Sequence, residues 1–381
     1  MTVGDLGEFG VIKRISRRLP QGASVLLGPG DDAAVLGAPD GRVVVTTDLL
    51  IERMHFRRDW SSGYDIGRKA AAQNLSDVVA MGARPTGLFV GLGMPADTSI
   101  EWLDALTDGL RDECAEVGAS LAGGDITRSE QIVLGVTAIG DLEGRPPVTR
   151  SGARVGDVVA IAGRLGWAAA GLAILHATSA PSAPASAPST SAPDSDSAST
   201  GSATSAAGST SATSASSAFD GAGEAAGTAG AAPAPALPQS EKPADSFAPF
   251  AEAMVEAHRR PRPPYAEGPR AAMLGATAML DVSDGLVQDL GHLAAASRLR
   301  VVVDPAKVPV PDTLVQAAAA LGADVLDWVL SGGEDHALAA TFPPDVRLSH
   351  PWQVIGYTTE GDGVQVMGRE EASEGWDHFR V

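Results

Sequence analysis

The chain has 381 residues, of which 44% are hydrophobic, and its formal net charge is −19 at pH 7. This length suffices for two domains of ordinary size, and the hydrophobic content suffices for buried cores. The acidic balance disfavours nucleic acid, which needs a basic face, although an acidic enzyme can still bind nucleotides when metal ions supply positive charge.

The N-terminal residues Met1 to Asp5 include neither a basic n-region nor an apolar h-region, so no signal peptide is predicted. No apolar run reaches the length of a membrane span. We therefore expect a cytoplasmic protein without a membrane partner. The single cysteine, Cys114, excludes an internal disulfide and a cysteine-based zinc site, and its apolar helical surroundings predict a core position.

The first part of the chain mixes predicted helices and strands. Apolar periodicity and turn residues predict helices over 9–19, 64–81 and 99–117, and strands over 33–36, 43–47, 88–92 and 132–139. The pattern restarts near residue 150. It predicts strands over 158–162, 276–280, 300–303, 336–342, 353–357 and 364–367, and helices over 167–175, 247–258, 285–296, 311–321 and 325–330.

A low-complexity segment interrupts the second part. Residues 178–240 are almost entirely Ala, Ser, Thr, Pro and Gly, and such a composition buries too little apolar surface to offset its ordering entropy. We interpret it as a disordered insertion. The predicted fold class is α+β with two domains, an N-terminal domain over 1–145 and a C-terminal domain over 146–381 that contains the insertion.

Aspartates recur beside glycine or hydroxyl residues where predicted elements end. They stand in the motifs Gly28-Pro29-Gly30-Asp31-Asp32, Thr46-Thr47-Asp48, Asn74-Leu75-Ser76-Asp77, Gly123-Gly124-Asp125 and Asp281-Val282-Ser283-Asp284-Gly285. Lys69 is the one lysine near any of them. Acids that converge without basic partners repel each other and need cations, and hard oxygen ligands favour Mg²⁺.

Each motif alone also has an ordinary structural interpretation. The segments 28–32 and 123–125 are typical of tight turns, and Ser283 or Asp284 is typical of a helix cap. Asp77 falls within a predicted helix among apolar neighbours, so it is either exposed or partnered. The chain has no Gly-x-x-x-x-Gly-Lys-Ser/Thr loop, which excludes a P-loop kinase, and its scattered histidines disfavour zinc.

Taken together, seven ordered blocks resemble the thiamine-monophosphate kinase family. Five of them are the aspartate motifs, of which the first extends here through Ala34, the third through Ala83, the fourth through Arg128 and the fifth through Leu286. The two further blocks are Arg150-Ser151-Gly152-Ala153 and Ser331-Gly332-Gly333-Glu334-Asp335. The wider superfamily includes aminoimidazole ribonucleotide, formylglycinamidine ribonucleotide and selenophosphate synthetases and a hydrogenase maturation factor. The Asn-Leu-Ser-Asp and Ser-Gly-Gly-Glu-Asp blocks favour the thiamine-phosphate branch.

The resemblance implies an N-terminal α+β domain whose strands join those of a partner in a dimeric barrel, and a C-terminal α/β domain. It also implies site residues, by motif match. The implied Mg²⁺ ligands are Asp32, Thr46, Thr47, Asp48, Asp77, Asp125, Asp281 and Asp284. The implied ATP contacts are Gly124, Asp125, Arg150 and Ser283, and the implied substrate contacts are His55, Glu334 and Trp376. Asp48, Asp77, Asp125, Asp281 and Arg150 are the implied catalytic set.

The implied reaction is ATP-dependent phosphorylation of thiamine monophosphate to thiamine diphosphate by direct in-line transfer, assisted by several Mg²⁺ ions. Two alternatives stay open at this point. One is another ATP-dependent synthetase of the superfamily, although no reactive cysteine stands near the N-terminus as in selenophosphate synthetases. The other is a non-catalytic nucleotide-binding protein whose insertion recruits partners.

Overall fold

The fold was analysed in a computed structural model that describes residues 1–27, 34–179 and 248–369. The helices are α1 (Val3–Ser16), α2 (Gly63–Ala80), α3 (Ile100–Val117), α4 (Trp167–Ser179), α5 (Ala248–Arg259), α6 (Glu267–Leu274), α7 (Leu286–Ser297), α8 (Asp312–Leu321) and α9 (Val325–Ser331). The strands are β1 (Val25–Leu27), β2 (Val35–Leu36), β3 (Val44–Ile51), β4 (Arg84–Met94), β5 (Ser120–Arg128), β6 (Val133–Asp141), β7 (Val158–Ala162), β8 (Ala278–Val282), β9 (Arg300–Val303), β10 (Ala337–Phe342), β11 (Gln353–Thr359) and β12 (Gly363–Val366).

Most predicted elements are present, and the differences come from pairing that local patterns do not reveal. The strand predicted over 43–47 continues to Ile51, because its pairing with β6 continues as far as Ile51 opposite Val133. Asp48 therefore lies within a strand rather than at its end. The helix predicted from residue 9 begins at Val3, where Thr2 forms a capping box with Asp5. Strands β1 and β5 and helix α6 were not predicted.

The first large sheet has four strands in the order β3-β6-β4-β5, in which only β4 and β5 are parallel. Helices α2 and α3 and the inward side chains of the sheet share one apolar core, which includes Cys114 as predicted. On the opposite face, Val45 and Leu49 of edge strand β3 are 57% and 59% exposed, and Val43, just before the strand, is 49% exposed. This sheet therefore buries one face and leaves apolar groups on the other.

The second large sheet has six strands in the order β12-β9-β11-β7-β10-β8. Helices α4, α5, α7 and α8 contribute to the core on one of its faces. The other face packs against α6 and against the C-terminal end of α2, where Val79 and Ala80 are buried. Helix α2 therefore belongs to the cores of both sheets, which explains why its apolar residues are not confined to one stripe.

The described residues form one compact unit. The predicted α+β fold class is confirmed, whereas the domain boundary at residues 145 and 146 stays a prediction. The predicted insertion lies outside the described residues except for Thr178 and Ser179, which end α4. Among the described helices, no single one is long and apolar enough to cross a membrane. Helices α8 and α9 taken together have the length and composition of a membrane span, but the pair is bent by 113°.

Candidate functional site

Helix α2 presents three polar side chains along one ridge. Lys69, Gln73 and Asp77 are spaced four residues apart, so they project from the same face of the helix and span about 12 Å of its length. Gln73 Nε2 donates a hydrogen bond to Asp48 Oδ2 at 3.1 Å, and the Thr46 hydroxyl donates to Asp77 Oδ2 at 2.7 Å. Strand β3 therefore turns Thr46 and Asp48 towards this ridge.

Carboxylates from three elements act on one another at the Asp77 end of the ridge. Burial, the largest cause, and the negative charges of Asp281 and Asp48 together raise the pKa of Asp77 to about 7, against the opposing effect of the Thr46 hydroxyl. The prediction that Asp77 would be either exposed or partnered is confirmed by its bond with Thr46. The structure thus brings Asp48, Asp77 and Asp281 into one electrostatic cluster, as expected from the motifs.

Within the part of the chain that the structure describes, His336 is a basic partner of this cluster. Its Nδ1 lies 3.0 Å from Asp281 Oδ2, and both side chains are almost fully buried. Burial alone would lower the pKa of His336, but the hydrogen bond and charge of Asp281 raise it overall. His336 therefore orients Asp281 and offsets part of its charge.

The loop that carries His336 interlocks with the loop after β8. Glu334 and His336 both have positive φ angles, 67° and 52°, and their N–H groups donate to the carbonyls of Ser283 and Val282 at 2.7 and 2.9 Å. A Cβ on Gly333 would lie 2.5 Å from the Ser283 carbonyl oxygen. Only glycine permits this approach, so the Asp-Val-Ser-Asp-Gly and Ser-Gly-Gly-Glu-Asp motifs form one structural unit.

Two further buried carboxylates hold the backbone around this unit. Asp289, rather than Ser283 or Asp284, accepts the N–H groups at the start of α7, with distances of 3.0, 3.0 and 3.2 Å. Asp335 accepts the N–H groups of Gly166 and Ala168 in the same way. Burial raises the pKa of both carboxyls to about 7, and the donated N–H groups oppose that rise.

The Lys69 end of the ridge carries a different group of charges. Lys69 Nζ lies 2.7 Å from Glu334 Oε1, and His258 Nδ1 lies 3.2 Å from Glu334 Oε2. Burial alone would raise the pKa of Glu334, but the Lys69 ammonium and His258 hold it well below its usual value. Burial and the Lys69 charge lower the pKa of His258. Glu334 is therefore an ionised carboxylate held between two basic side chains.

His55 lies in the turn after β3, close to the same end of α2. Its Nδ1 accepts the N–H of Ile51 at 3.0 Å, and its backbone carbonyl accepts a hydrogen bond from Lys69 Nζ at 3.2 Å. A neutral ring that accepts at Nδ1 carries its proton on Nε2. Two predicted substrate contacts, His55 and Glu334, therefore both lie against Lys69.

Other predicted residues lie apart from the carboxylate cluster. Gly124 and Asp125 are exposed on edge strand β5, three strand spacings from β3, or about 14 Å along the sheet. The segment 123–125 is thus a strand and not a turn.

Thr47 and Arg150 also lie away from the carboxylate cluster. The Thr47 hydroxyl lies on the other face of β3 and donates to the Val136 carbonyl at 3.0 Å. Arg150 is exposed, and its carbonyl accepts the Ser297 hydroxyl at 2.7 Å.

Two predicted residues, Asp32 and Trp376, lie outside the described residues. Within residues 1–27, 34–179 and 248–369, no three His, Cys, Asp or Glu side chains form a ready metal site. The metal assignments of the sequence analysis, including that of Asp284, therefore stay predictions. Sequence analysis missed the roles of four residues, Gln73, His258, Asp289 and His336. Only Gln73 had a signal in the sequence, namely its position midway between Lys69 and Asp77 at a spacing of four residues.

Comparisons with known proteins decide the family. The family described as AIR synthase related protein, N-terminal domain, matches residues 30–142. A thiamine-monophosphate kinase from Mycobacterium tuberculosis is 40% identical over 381 residues, which cover 99% of this chain and 93% of that relative. This chain belongs to the thiamine-monophosphate kinase family. The predicted resemblance is confirmed, and the chain is a kinase by membership.

Solved structures of other members of the thiamine-monophosphate kinase family share the fold. The enzyme from Stenotrophomonas maltophilia is 30% identical with a TM-score of 0.68, and the match covers 98% of this chain and 99% of that one. AaThiL, solved in complex with AMPPCP and TMP, is 25% identical with a TM-score of 0.67, and the match covers 100% and 99% of the two chains. The likeness therefore extends over both large sheets.

Proposed function

We propose that this chain transfers the γ-phosphoryl group of ATP to thiamine monophosphate and releases ADP and thiamine diphosphate. Family membership supports the reaction, and so does the relative AaThiL, which was solved with AMPPCP, an analogue of ATP, and TMP. The observation that carries the proposal is the meeting of Asp48, Asp77 and Asp281 from three different elements. Such a cluster suits a site that binds cations and polyphosphate.

Mg²⁺ fits the chemistry of this cluster. A carboxyl pKa near 7, raised by burial and by neighbouring carboxylates, reflects a concentration of negative charge that His336 offsets only in part. Oxygen ligands of this kind favour Mg²⁺. We therefore propose that several Mg²⁺ ions are held by members of the predicted set, Asp32, Thr46, Thr47, Asp48, Asp77, Asp125, Asp281 and Asp284.

The transfer needs alignment more than proton removal. The nucleophile is a phosphate oxygen of thiamine monophosphate, already ionised near neutral pH, so no strong general base is required. Bound Mg²⁺ would supply neutralisation of phosphate charge. The chain contributes the positions of the carboxylates and the charge of Arg150 beside the nucleotide. It also contributes the backbone at Gly124, where there is no room for a side chain. We place Gly124, Asp125, Arg150 and Ser283 against ATP.

The other substrate is assigned to the Lys69 end of the ridge. The His55 turn is held at this end of the ridge by the bond from Lys69, and the ionised Glu334 supplies negative charge for the cationic thiazolium. Each oxygen of Glu334 has two lone pairs, so its contacts with Lys69 and His258 leave acceptor capacity. Trp376 is assigned to the same substrate as an aromatic partner for the cation.

The test is an ATP-dependent assay that follows ADP release and identifies the second product. Thiamine monophosphate should yield ADP and thiamine diphosphate in equal amounts, whereas thiamine should yield neither, because it lacks the acceptor phosphate. Comparable turnover of thiamine would contradict the phosphate-acceptor mechanism. Substrate-dependent ADP formation with a synthetase substrate alone would favour the first alternative, and ATP binding without any turnover would favour the second.

We also propose that the chain acts as a homodimer. Val45 and Leu49 of edge strand β3, and Val43 just before it, are each about half or more exposed. A row of exposed apolar residues on a sheet is costly in water and is suited to an identical partner surface. A cytoplasmic location stays a prediction.

A further inference from the structure

The ammonium group of Lys69 is buried at the junction of two segments that are distant in sequence. The residue is 3% exposed, and lysine is almost never fully buried unless its charge is paired. Its two acceptors are Glu334 Oε1 at 2.7 Å and the His55 carbonyl oxygen at 3.2 Å. One acceptor is in the loop before β10, and the other is in the turn after β3.

We propose that Lys69 is a positioning residue for thiamine monophosphate, which it serves by holding Glu334 and the His55 turn in fixed relation. This inference rests on the proposed function, in which those two residues face the substrate. An ammonium offers three donors, so one lysine can bond to both segments at once.

The backbone at Glu334 explains why a fixed cation is needed there. Its φ angle of 67° is unusual for a residue with a side chain, and its N–H is committed to the Ser283 carbonyl at 2.7 Å. The carboxylate is only 33% exposed, so water cannot replace a lost ionic partner fully. Without Lys69, Glu334 retains His258 alone, whose pKa is lowered by burial.

The burial of Lys69 also distinguishes positioning from direct contact. Its side chain is 4% exposed, so its influence on substrate runs through the two groups that it bonds, Glu334 and the His55 carbonyl. Asp77 lies eight residues further along α2, about 12 Å away. Loss of the Lys69 charge should therefore weaken binding of thiamine monophosphate and leave binding of ATP and Mg²⁺ nearly unchanged.

The first experiment compares Lys69→Met with wild type by steady-state kinetics and by calorimetric titration of thiamine monophosphate. We expect KM and Kd for thiamine monophosphate to rise at least tenfold, as for loss of a hydrogen bond to a charged group, with KM for ATP within about twofold. Lys307→Met is the matched control, because it removes the same charge from a side chain that is 59% exposed. It should match wild type.

The second experiment combines Lys69→Met with Glu334→Gln. The ion pair with Glu334 at 2.7 Å is the stronger of the two Lys69 contacts, and the bond to the His55 carbonyl at 3.2 Å is the weaker. Lys69→Met should therefore raise KM less than about threefold when Gln already occupies position 334. An equal rise in both backgrounds would overturn the proposal, as would an equal rise in KM for ATP, or a lower melting temperature with KM unchanged.

Folding failure is also decisive. If Lys69→Met does not fold, the double variant, which removes both charges of the ion pair, should fold and show the KM of Glu334→Gln. If neither folds, Lys69 serves folding and the proposal is wrong. Failure of wild type to form thiamine diphosphate would instead refute the proposed function. Normal wild-type turnover with unchanged KM in Lys69→Met would refute this inference alone.

Discussion

Asp77 shows how the surroundings of one residue can set up a cation site. The carboxyl accepts the Thr46 hydroxyl on one side and experiences the charges of Asp281 and Asp48 on the other. Burial, the largest influence, makes its ionised form costly. A bound cation would relieve both the burial cost and the repulsion, so the same arrangement that weakens the free protein favours metal binding.

The variant Asp77→Asn should therefore gain stability and lose activity. Because the pKa of Asp77 is raised from 3.8 to about 7, the folded state binds this proton more tightly than the unfolded state. Ionisation of Asp77 thus costs stability progressively between about pH 4 and pH 7. In metal-free protein, the melting temperature of Asp77→Asn should exceed that of wild type by a margin that grows over this range and levels off above it.

Turnover of Asp77→Asn at saturating Mg²⁺ should fall by at least about a hundredfold, as when a group that stabilises transition-state charge is removed. Asp48→Asn and Asp281→Asn should lose turnover similarly. Asp345→Asn is the control, because it removes a charge from an exposed position. It should change neither the melting temperature nor the turnover. Unfolding of Asp77→Asn, or near-normal turnover, would show that this carboxylate is structural.

At the scale of elements, helix α2 positions the site because it packs closely on both sides. Gly67 lies against α3, where a Cβ would stand 2.2 Å from the Leu106 carbonyl oxygen and 2.9 Å from the Leu110 nitrogen. Gly268 of α6 approaches the Val79 carbonyl equally closely from the other side. These contacts fix the helix axis, and with it the ridge of Lys69, Gln73 and Asp77.

Two glycine substitutions should have opposite effects on stability. Gly67→Ala places a methyl group against backbone atoms that cannot rotate away, so it should destabilise the protein by about 1–3 kcal/mol. Gly291→Ala in α7 meets no atom within 4 Å and should stabilise it by about 0.5–1 kcal/mol, because alanine favours the helix. Denaturant unfolding measures both. Equal changes in the two variants would contradict the close packing of α2 on α3.

At the scale of the whole molecule, the exposed apolar face of β3 predicts the state of assembly. Val45→Asp places a charge on this face and should convert the proposed dimer into a monomer, as measured by analytical ultracentrifugation. Val354→Asp is the control, because Val354 is also an exposed valine, 38% accessible, but lies on the other large sheet. A dimer that survives Val45→Asp but not Val354→Asp would place the interface elsewhere.

The low-complexity segment should be dispensable for folding and turnover. Helices α4 and α5, on either side of it, are in direct contact, since a Cβ on Gly171 would lie 2.1 Å from the Met254 carbonyl oxygen. A deletion should start after Ser179, whose hydroxyl accepts the Trp60 indole N–H at 2.9 Å. Replacement of residues 180–238 by about eight Gly and Ser residues should change melting temperature and turnover little, because loop length costs little closure entropy. A large loss of either would show that the segment folds or acts.

The sequence alone determined the fold class, most helices and strands, and the family, because periodicity, turn residues and ordered short motifs are local properties. It also identified the aspartates that meet in the structure, since a carboxylate beside small residues is visible in one stretch of chain. The seven blocks could be recognised without knowing how they contact each other.

Tertiary structure decided which groups pair. The partner of Asp281 is His336, and the partner of Lys69 is Glu334, from segments that no local pattern connects. The same limit explains β5, where two glycines and an aspartate look like a turn until pairing with β4 makes them a strand. Local residues set the propensity of each segment, but hydrogen-bond and charge partners depend on the path of the whole chain, and these partners set the pKa of Asp77 and the position of Glu334.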